Sequence, residues 1–296
     1  MVYEASSPIF SRYDDASMLD RDDFTSKVRV LEVDDRAVRC VEMRPREQGH
    51  HEQKTVLLTP GFLCGLSNMA LLGHELTRYG FEVIPLAHTK PGKDSADDVR
   101  GVIEAFYAGK IGTPSNRLVL FAHSLGAINT KQCLTRYPEL MDGIDGVVEL
   151  APAGYGGVTP SGALASVLSE LSHRPDTQVA RDAVKDAIRY TSASGWQIIG
   201  RAIEAKTINM VAATREIMEN NVPVSALVAR NDKVIRRNGL TRGLGAAAVP
   251  YTYVSTAHAG HNPHLMFAEQ TAQDVVAHIL SLGMRNSAAL GEKQVY

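Results

Sequence analysis

Arg117-Leu118-Val119-Leu120-Phe121-Ala122-His123-Ser124-Leu125-Gly126-Ala127 decides how the rest of the chain is read. Residues 118–122 form a short apolar run, the pattern of a strand buried on both faces. A helical pattern over 125–136 begins immediately after Ser124. Ala122 and Gly126 flank the serine symmetrically. A chain that turns from strand into helix about one residue brings these two positions close, and bulk there would clash. The turn lifts the Ser124 hydroxyl clear of the sheet edge. The helix that follows begins with N–H groups that have no intrahelical partner. Such a turn is a nucleophile elbow.

Outward from the elbow, strand and helix patterns alternate. Residues 28–33 and 37–43 alternate in polarity around Asp34-Asp35, a hairpin signal. Strands are expected at 54–59, 81–86, 143–150, 223–229 and 250–255. Helices are expected at 68–79, 94–108, 236–244 and 265–282. This order predicts an α/β protein, with a mostly parallel central sheet covered by helices on both faces. One long stretch breaks the alternation. Residues 161–171, 177–190 and 197–220 read as helices with Gly- and Ser-rich joints. The expected organisation is an N-terminal arm (1–27), a core (28–151 and 222–283), an inserted helical cap (152–221) and a C-terminal tail (284–296).

Composition narrows the function classes. The chain has 296 residues, 44% hydrophobic and 22% charged, an ordinary globular balance. With a formal net charge of -2, nothing suggests a nucleic-acid or anionic-membrane partner. Cys40, Cys64 and Cys133 are too few and too scattered for a disulfide framework, and fit a reducing compartment. The polar N-terminus has no signal-peptide core, and no segment offers the roughly 18 apolar residues of a membrane span. A cytoplasmic location is expected. No phosphate loop or dinucleotide fingerprint occurs, and no cofactor is expected.

A serine hydroxyl is a poor nucleophile near neutral pH. It needs a base, a group that orients the base, and donors aimed at the developing oxyanion. These are expected at the carboxyl ends of strands. Asp232, in Arg230-Asn231-Asp232-Lys233-Val234, follows the 223–229 strand and is the candidate acid. Asp142 and Asp145 are weaker candidates because they precede a strand. His261, in His258-Ala259-Gly260-His261-Asn262-Pro263-His264, is the candidate base, with His258 as the alternative.

Three histidines at three-residue spacing also raise a zinc reading. Gly260 and Pro263 favour a turn instead, and no acidic residue is interleaved, so no metal site is expected. His50-His51 reads as a solvated loop pair. The expected oxyanion donors are the N–H groups of Leu125 and Phe62, with Leu63 next in line. Leu63, His123 and Trp196 are candidate walls of the substrate pocket. Cys64 reads as a buried, inert thiol.

Four segments carry a resemblance: Thr59-Pro60-Gly61-Phe62, Ala122-His123-Ser124-Leu125-Gly126, Asn231-Asp232-Lys233-Val234 and Gly260-His261-Asn262-Pro263-His264-Leu265. Together, over 28–283, they resemble the α/β-hydrolase superfamily, in which these places hold the oxyanion loop, nucleophile elbow, acid and base. Ala122 stands where the first glycine of the elbow is common, and Thr59-Pro60 where His-Gly is common. The resemblance implies a serine esterase or lipase-like enzyme that cleaves a small-molecule carboxylic ester through an acyl-enzyme on Ser124. Acyl transfer, thioester cleavage, carbon–carbon bond hydrolysis and perhydrolysis use the same residues. A hydrolase-fold ligand receptor that has kept them is the non-enzymatic alternative.

Overall fold

The structure, a computed structural model, describes residues 24–34, 36–46, 54–61, 66–87, 95–156 and 208–292. The expected arm up to residue 23, the His50-His51 pair, Cys64 and the cap helices over 161–207 lie outside the described residues.

The hairpin β1 (Phe24–Val33) and β2 (Arg36–Pro45) opens the fold. There follow β3 (Lys54–Thr59), α1 (Leu66–Arg78), β4 (Glu82–Ala87), α2 (Ser95–Tyr107), β5 (Arg117–His123) and α3 (Leu125–Arg136). A 3-10 turn (Pro138–Gly143) leads into β6 (Ile144–Leu150). After the undescribed stretch come α4 (Met210–Glu219), β7 (Val224–Val228), α5 (Arg237–Ala246) and β8 (Tyr251–Tyr253). The one-turn α6 (Pro263–Met266) and the long α7 (Ala268–Glu292) close the chain.

The strands join in one sheet in the order β1-β2-β4-β3-β5-β6-β7-β8. Pairings from β4 through β3, β5, β6 and β7 to β8 are parallel, and those of β2 with β1 and β4 are antiparallel. The mostly parallel α/β sheet expected from the sequence is therefore observed.

Side-chain alternation along β5 divides the core into two layers. Leu118, Leu120 and Ala122 pack with Val99 and Ile103 of α2 and with Ala127 and Leu134 of α3. Val119 and Phe121 pack with Leu72 and Leu76 of α1 and with Val275 and Ile279 of α7. Because β5, β6, β7 and β8 are parallel, their carboxyl ends share one edge, where residues from distant parts of the sequence meet.

Three expectations need correction. Met210–Glu219 falls in the range assigned to the cap, yet Met210 and Ile217 are buried in the same core layer as α3. It is therefore a helix of the body that leads back into β7. The strand expected at 250–255 stops at Tyr253; the Val254 N–H still reaches the Val228 carbonyl (3.0 Å), and the Ser255 N–H beyond it bonds the Asp274 carboxylate of α7 (2.8 Å). The final helix is broken at Phe267 and then runs to Glu292, past the point where a tail was expected. The Phe267 N–H still reaches back to the Pro263 carbonyl (2.8 Å), closing the first turn before the new helix starts. Among the described residues, no helix is long and apolar enough to cross a membrane.

Candidate active site

Ser124 lies between the last residue of β5 and the first of α3. Its backbone has φ 52° and ψ −116°, a left-handed conformation that a side-chain-bearing residue adopts only when its surroundings impose it. Those surroundings are specific. The Ser124 N–H donates to the Leu150 carbonyl at the end of β6 (3.0 Å). Its carbonyl accepts from the N–H groups of Ala153 (3.0 Å) and Ala127 (3.2 Å).

The glycines nearby are required by close backbone approach. A Cβ at Gly126 would lie 2.5 Å from the Thr59 carbonyl oxygen and 2.8 Å from that of Pro60. A Cβ at Gly61 would lie 2.9 Å from the Ser124 Cβ. The end of β3 therefore runs hard against the elbow.

The structure brings Ser124, His261 and Asp232 into one hydrogen-bonded chain. Ser124 Oγ and His261 Nε2 are 2.8 Å apart. His261 Nδ1 is 2.8 Å from Asp232 Oδ2. An ionised carboxylate only accepts, so Nδ1 carries the proton and Nε2 is left to accept from the serine hydroxyl. The other carboxylate oxygen, Oδ1, accepts from the N–H groups of Val234 (2.7 Å) and Ile235 (2.9 Å). Burial of Asp232 works to raise its pKa. The adjacent His261 and these two N–H groups outweigh burial and hold the carboxyl below its ordinary value.

His261 is itself 7% exposed, and so is Ser124, which leaves the pair reachable but largely sheltered. Leu125 is the first residue of α3, so its N–H is one of the donors that no helical carbonyl can satisfy, and it sits next to the serine. Phe62, the other expected oxyanion donor, and the pocket candidates Leu63 and Trp196 lie outside the described residues.

The alternatives weighed from sequence fall elsewhere. His258 is exposed. Asp145 starts β6 at the opposite edge of the sheet, where Lys54 and Arg117 (2.6 Å) bind it. Asp142 is exposed. Among the described residues, no group of three or more His, Cys, Asp or Glu side chains could hold a metal ion.

His123 departs from the expectation of a pocket wall. It is 1% exposed and follows Val119 and Phe121 on the α1–α7 side of β5. Its Nε2 lies 3.0 Å from the main-chain carbonyl of His261. Its ring packs against the rings of His261 (centroids 5.2 Å) and of His264 (4.4 Å, edge-on). The face was legible from the alternation of the strand; proximity to Ser124 in sequence was the weaker guide.

Burial, then the neighbouring His261, pushes the His123 pKa down to about 3. Burial, then His123 and His261, pushes that of His264 well below its ordinary value. Both rings are therefore neutral in the folded protein. In the unfolded chain they take up protons near pH 6.5. Below that pH the unfolded state binds more protons, so stability is complete above about pH 6.5 and declines as the pH falls toward the folded pKa values. Each ring can remove up to about 1.4 kcal/mol per pH unit. The stabilisation from Asp232 disappears only lower, below the ordinary carboxylate range near 3.9. Urea unfolding at pH 7, 5.5 and 4.5 should give falling midpoints, and equal midpoints would contradict the neutral, buried state of these rings.

A second network fastens α3 from the opposite face of the sheet. Lys131 of α3 and Glu149 of β6 are both fully buried and form an ion pair. Tyr155 donates its hydroxyl to Glu149 Oε2 (3.1 Å) and shares a 2.7 Å hydrogen bond with Thr214 of α4. The Lys131 ammonium also lies 5.0 Å from the centre of the Tyr155 ring. Lys131 is on the helix that begins beside Ser124, so this network helps to set the position of the elbow.

No family model matches the chain, and no curated protein sequence does. Many solved structures match it. A protein from Burkholderia cenocepacia designated an aryl esterase has 18% identity and a TM-score of 0.61, covering 86% of this chain and 100% of its own. A protein from Acinetobacter baumannii designated a lipase has 17% identity and a TM-score of 0.61, covering 88% of this chain and 93% of its own. A thioesterase domain from the curacin biosynthetic pathway has 15% identity and a TM-score of 0.55, covering 85% of this chain and 99% of its own. At these identities the likeness is one of fold.

Proposed function

We propose that this chain, which has the α/β-hydrolase fold, is a serine hydrolase that cleaves a small-molecule carboxylic ester. The observation that carries the reading is the hydrogen-bonded chain from Ser124 Oγ through His261 to Asp232, built on a strained serine at a helix N-terminus. Esterase and lipase designations among proteins of the same fold support the choice of an ester.

In the proposed reaction His261 Nε2 takes the Ser124 proton as Oγ attacks the acyl carbonyl. Asp232 holds the imidazole in the tautomer this requires and stabilises the imidazolium that forms. The Leu125 N–H, at the positive end of α3, and the Phe62 N–H donate to the oxyanion. The intermediate collapses by breaking the bond to the leaving alcohol, which takes the proton from His261. Water, deprotonated by His261, then attacks the acyl-enzyme, and the acid leaves as Ser124 recovers its proton. Side chains and water supply every acid, base and nucleophile in the cycle, so no cofactor is required.

Activated serines react with fluorophosphonates. The wild-type protein should become labelled on the peptide that contains Ser124 and should hydrolyse a short p-nitrophenyl ester. Ser124→Ala should lose the label. A wild type that neither takes the label nor turns over any of a panel of p-nitrophenyl esters and acyl thioesters would leave the ligand-receptor reading in its place.

A further inference from the structure

We propose that His123 is a positioning residue for the base: its Nε2–H holds the main-chain carbonyl of His261, so that neighbouring residues of one strand end fix both the backbone and the ring of the same histidine. The inference rests on the hydrolase reading above.

The geometry is a two-point grip. His123 Nε2 is 3.0 Å from the His261 carbonyl oxygen, and Ser124 Oγ is 2.8 Å from His261 Nε2. A carbonyl oxygen can only accept, so His123 carries its proton on Nε2. The ring has little room to shift. It is 1% exposed and is packed edge-on against His264. A Cβ at Gly61 would come within 2.7 Å of its Nδ1, so the backbone at Gly61 lies directly against the ring. Burial keeps the ring neutral, so the donor does not change with pH across the range in which the enzyme would work.

The acid loop repeats the device. Asn231, immediately before Asp232, donates its side-chain amide to the Ala257 carbonyl (2.7 Å) and its N–H to that of Ala259 (3.3 Å). The loop carrying His261 is thus held by the residue preceding each of the two groups that its imidazole bonds. Loops are ordinarily the mobile part of such a fold. Here the base has its place defined relative to the serine through one rigid strand.

The test compares His123→Phe, which keeps a ring and loses the donor, with His123→Gln, which keeps an amide donor near the same reach. A displaced base slows proton transfer and leaves substrate binding untouched. His123→Phe should lower kcat for a p-nitrophenyl ester about 10- to 100-fold with KM changed less than about twofold. Fluorophosphonate labelling should slow in parallel. His123→Gln should recover most of the loss.

A folded His123→Phe with wild-type kcat would overturn the role, and so would a folded His123→Gln as slow as the phenylalanine variant. Long-range proton–nitrogen spectra of 15N-histidine wild-type protein test it without any substitution. His123 should show the Nε2–H tautomer unchanged from pH 5 to 8, and an Nδ1–H tautomer or titration in that range would overturn the proposal. A wild type with no turnover and no labelling overturns the hydrolase reading instead, and the positioning role of His123 with it.

Discussion

Ser124→Ala should lower kcat for ester hydrolysis by about a millionfold, His261→Ala by a similar factor, and the double variant no further. Ser124 and His261 are 2.8 Å apart and act on the same proton. Once the hydroxyl is gone, the imidazole has no proton to accept, and removing it costs nothing more. Once the imidazole is gone, the hydroxyl keeps its proton and attacks poorly. Asp232→Asn should cost less, about 10⁴-fold, because it disturbs the tautomer and orientation of His261 without removing either reacting group. The residual rate of the serine, histidine and double variants should converge on what binding and the oxyanion donors supply alone. The measurement is single-substrate kinetics on purified variants with active-site titration of the wild type. Losses that multiplied in the double variant would mean that the two residues act independently, which the hydrogen-bonded chain forbids.

The second large effect concerns stability. Lys131→Met should destabilise the fold by about 3–5 kcal/mol, because it leaves the Glu149 carboxylate buried without its countercharge. The double variant Lys131→Met/Glu149→Leu should recover much of that loss, since it removes both desolvated charges together and leaves Tyr155 bonded to Thr214. Urea unfolding of the two variants beside the wild type measures both terms. A single variant as stable as the wild type would show that the pair is dispensable. A double variant no better than the single would show that Glu149 serves Tyr155 more than it serves Lys131.

Most of the sheet was legible because its central strands are continuous apolar runs and its helices carry one apolar stripe. β3 and β5 needed no tertiary information, since 54–59 and 118–122 can be buried on both faces only as inner strands. Elements settled by distant contacts were less legible. β8 ends just before Ser255, whose N–H and hydroxyl both bind Asp274 of α7, a residue far along the chain. Met210–Glu219 carries the same kind of apolar stripe as a cap helix would, and only the layer it packs into distinguishes the two. Glu149 did carry a usable signal. A carboxylate inside the run Val147-Val148-Glu149-Leu150 must find a buried partner, and Lys131 lies mid-way along the helix that follows the elbow, whose other basic residue, Arg136, is at its end. At the site, the order Ser124, Asp232, His261 was readable, since each follows a strand whose carboxyl end lies on the same edge. The hydrogen bond of His123 to the backbone of His261 was not, because it joins residues far apart in sequence through a main-chain atom.

The backbone contact between the end of β3 and the start of α3 bears on how the chain can be altered. Gly126 meets the carbonyl oxygens of Thr59 and Pro60 with no side chain between them. The spacing between the end of β3 and the start of α3 is therefore a constant of the fold, like the bore of a fixed gauge. A side chain at Gly61 or Gly126 would meet elbow or backbone atoms at once, so directed evolution will find no gradient to climb at either position. Useful variation must come from residues whose side chains can change size without moving a strand.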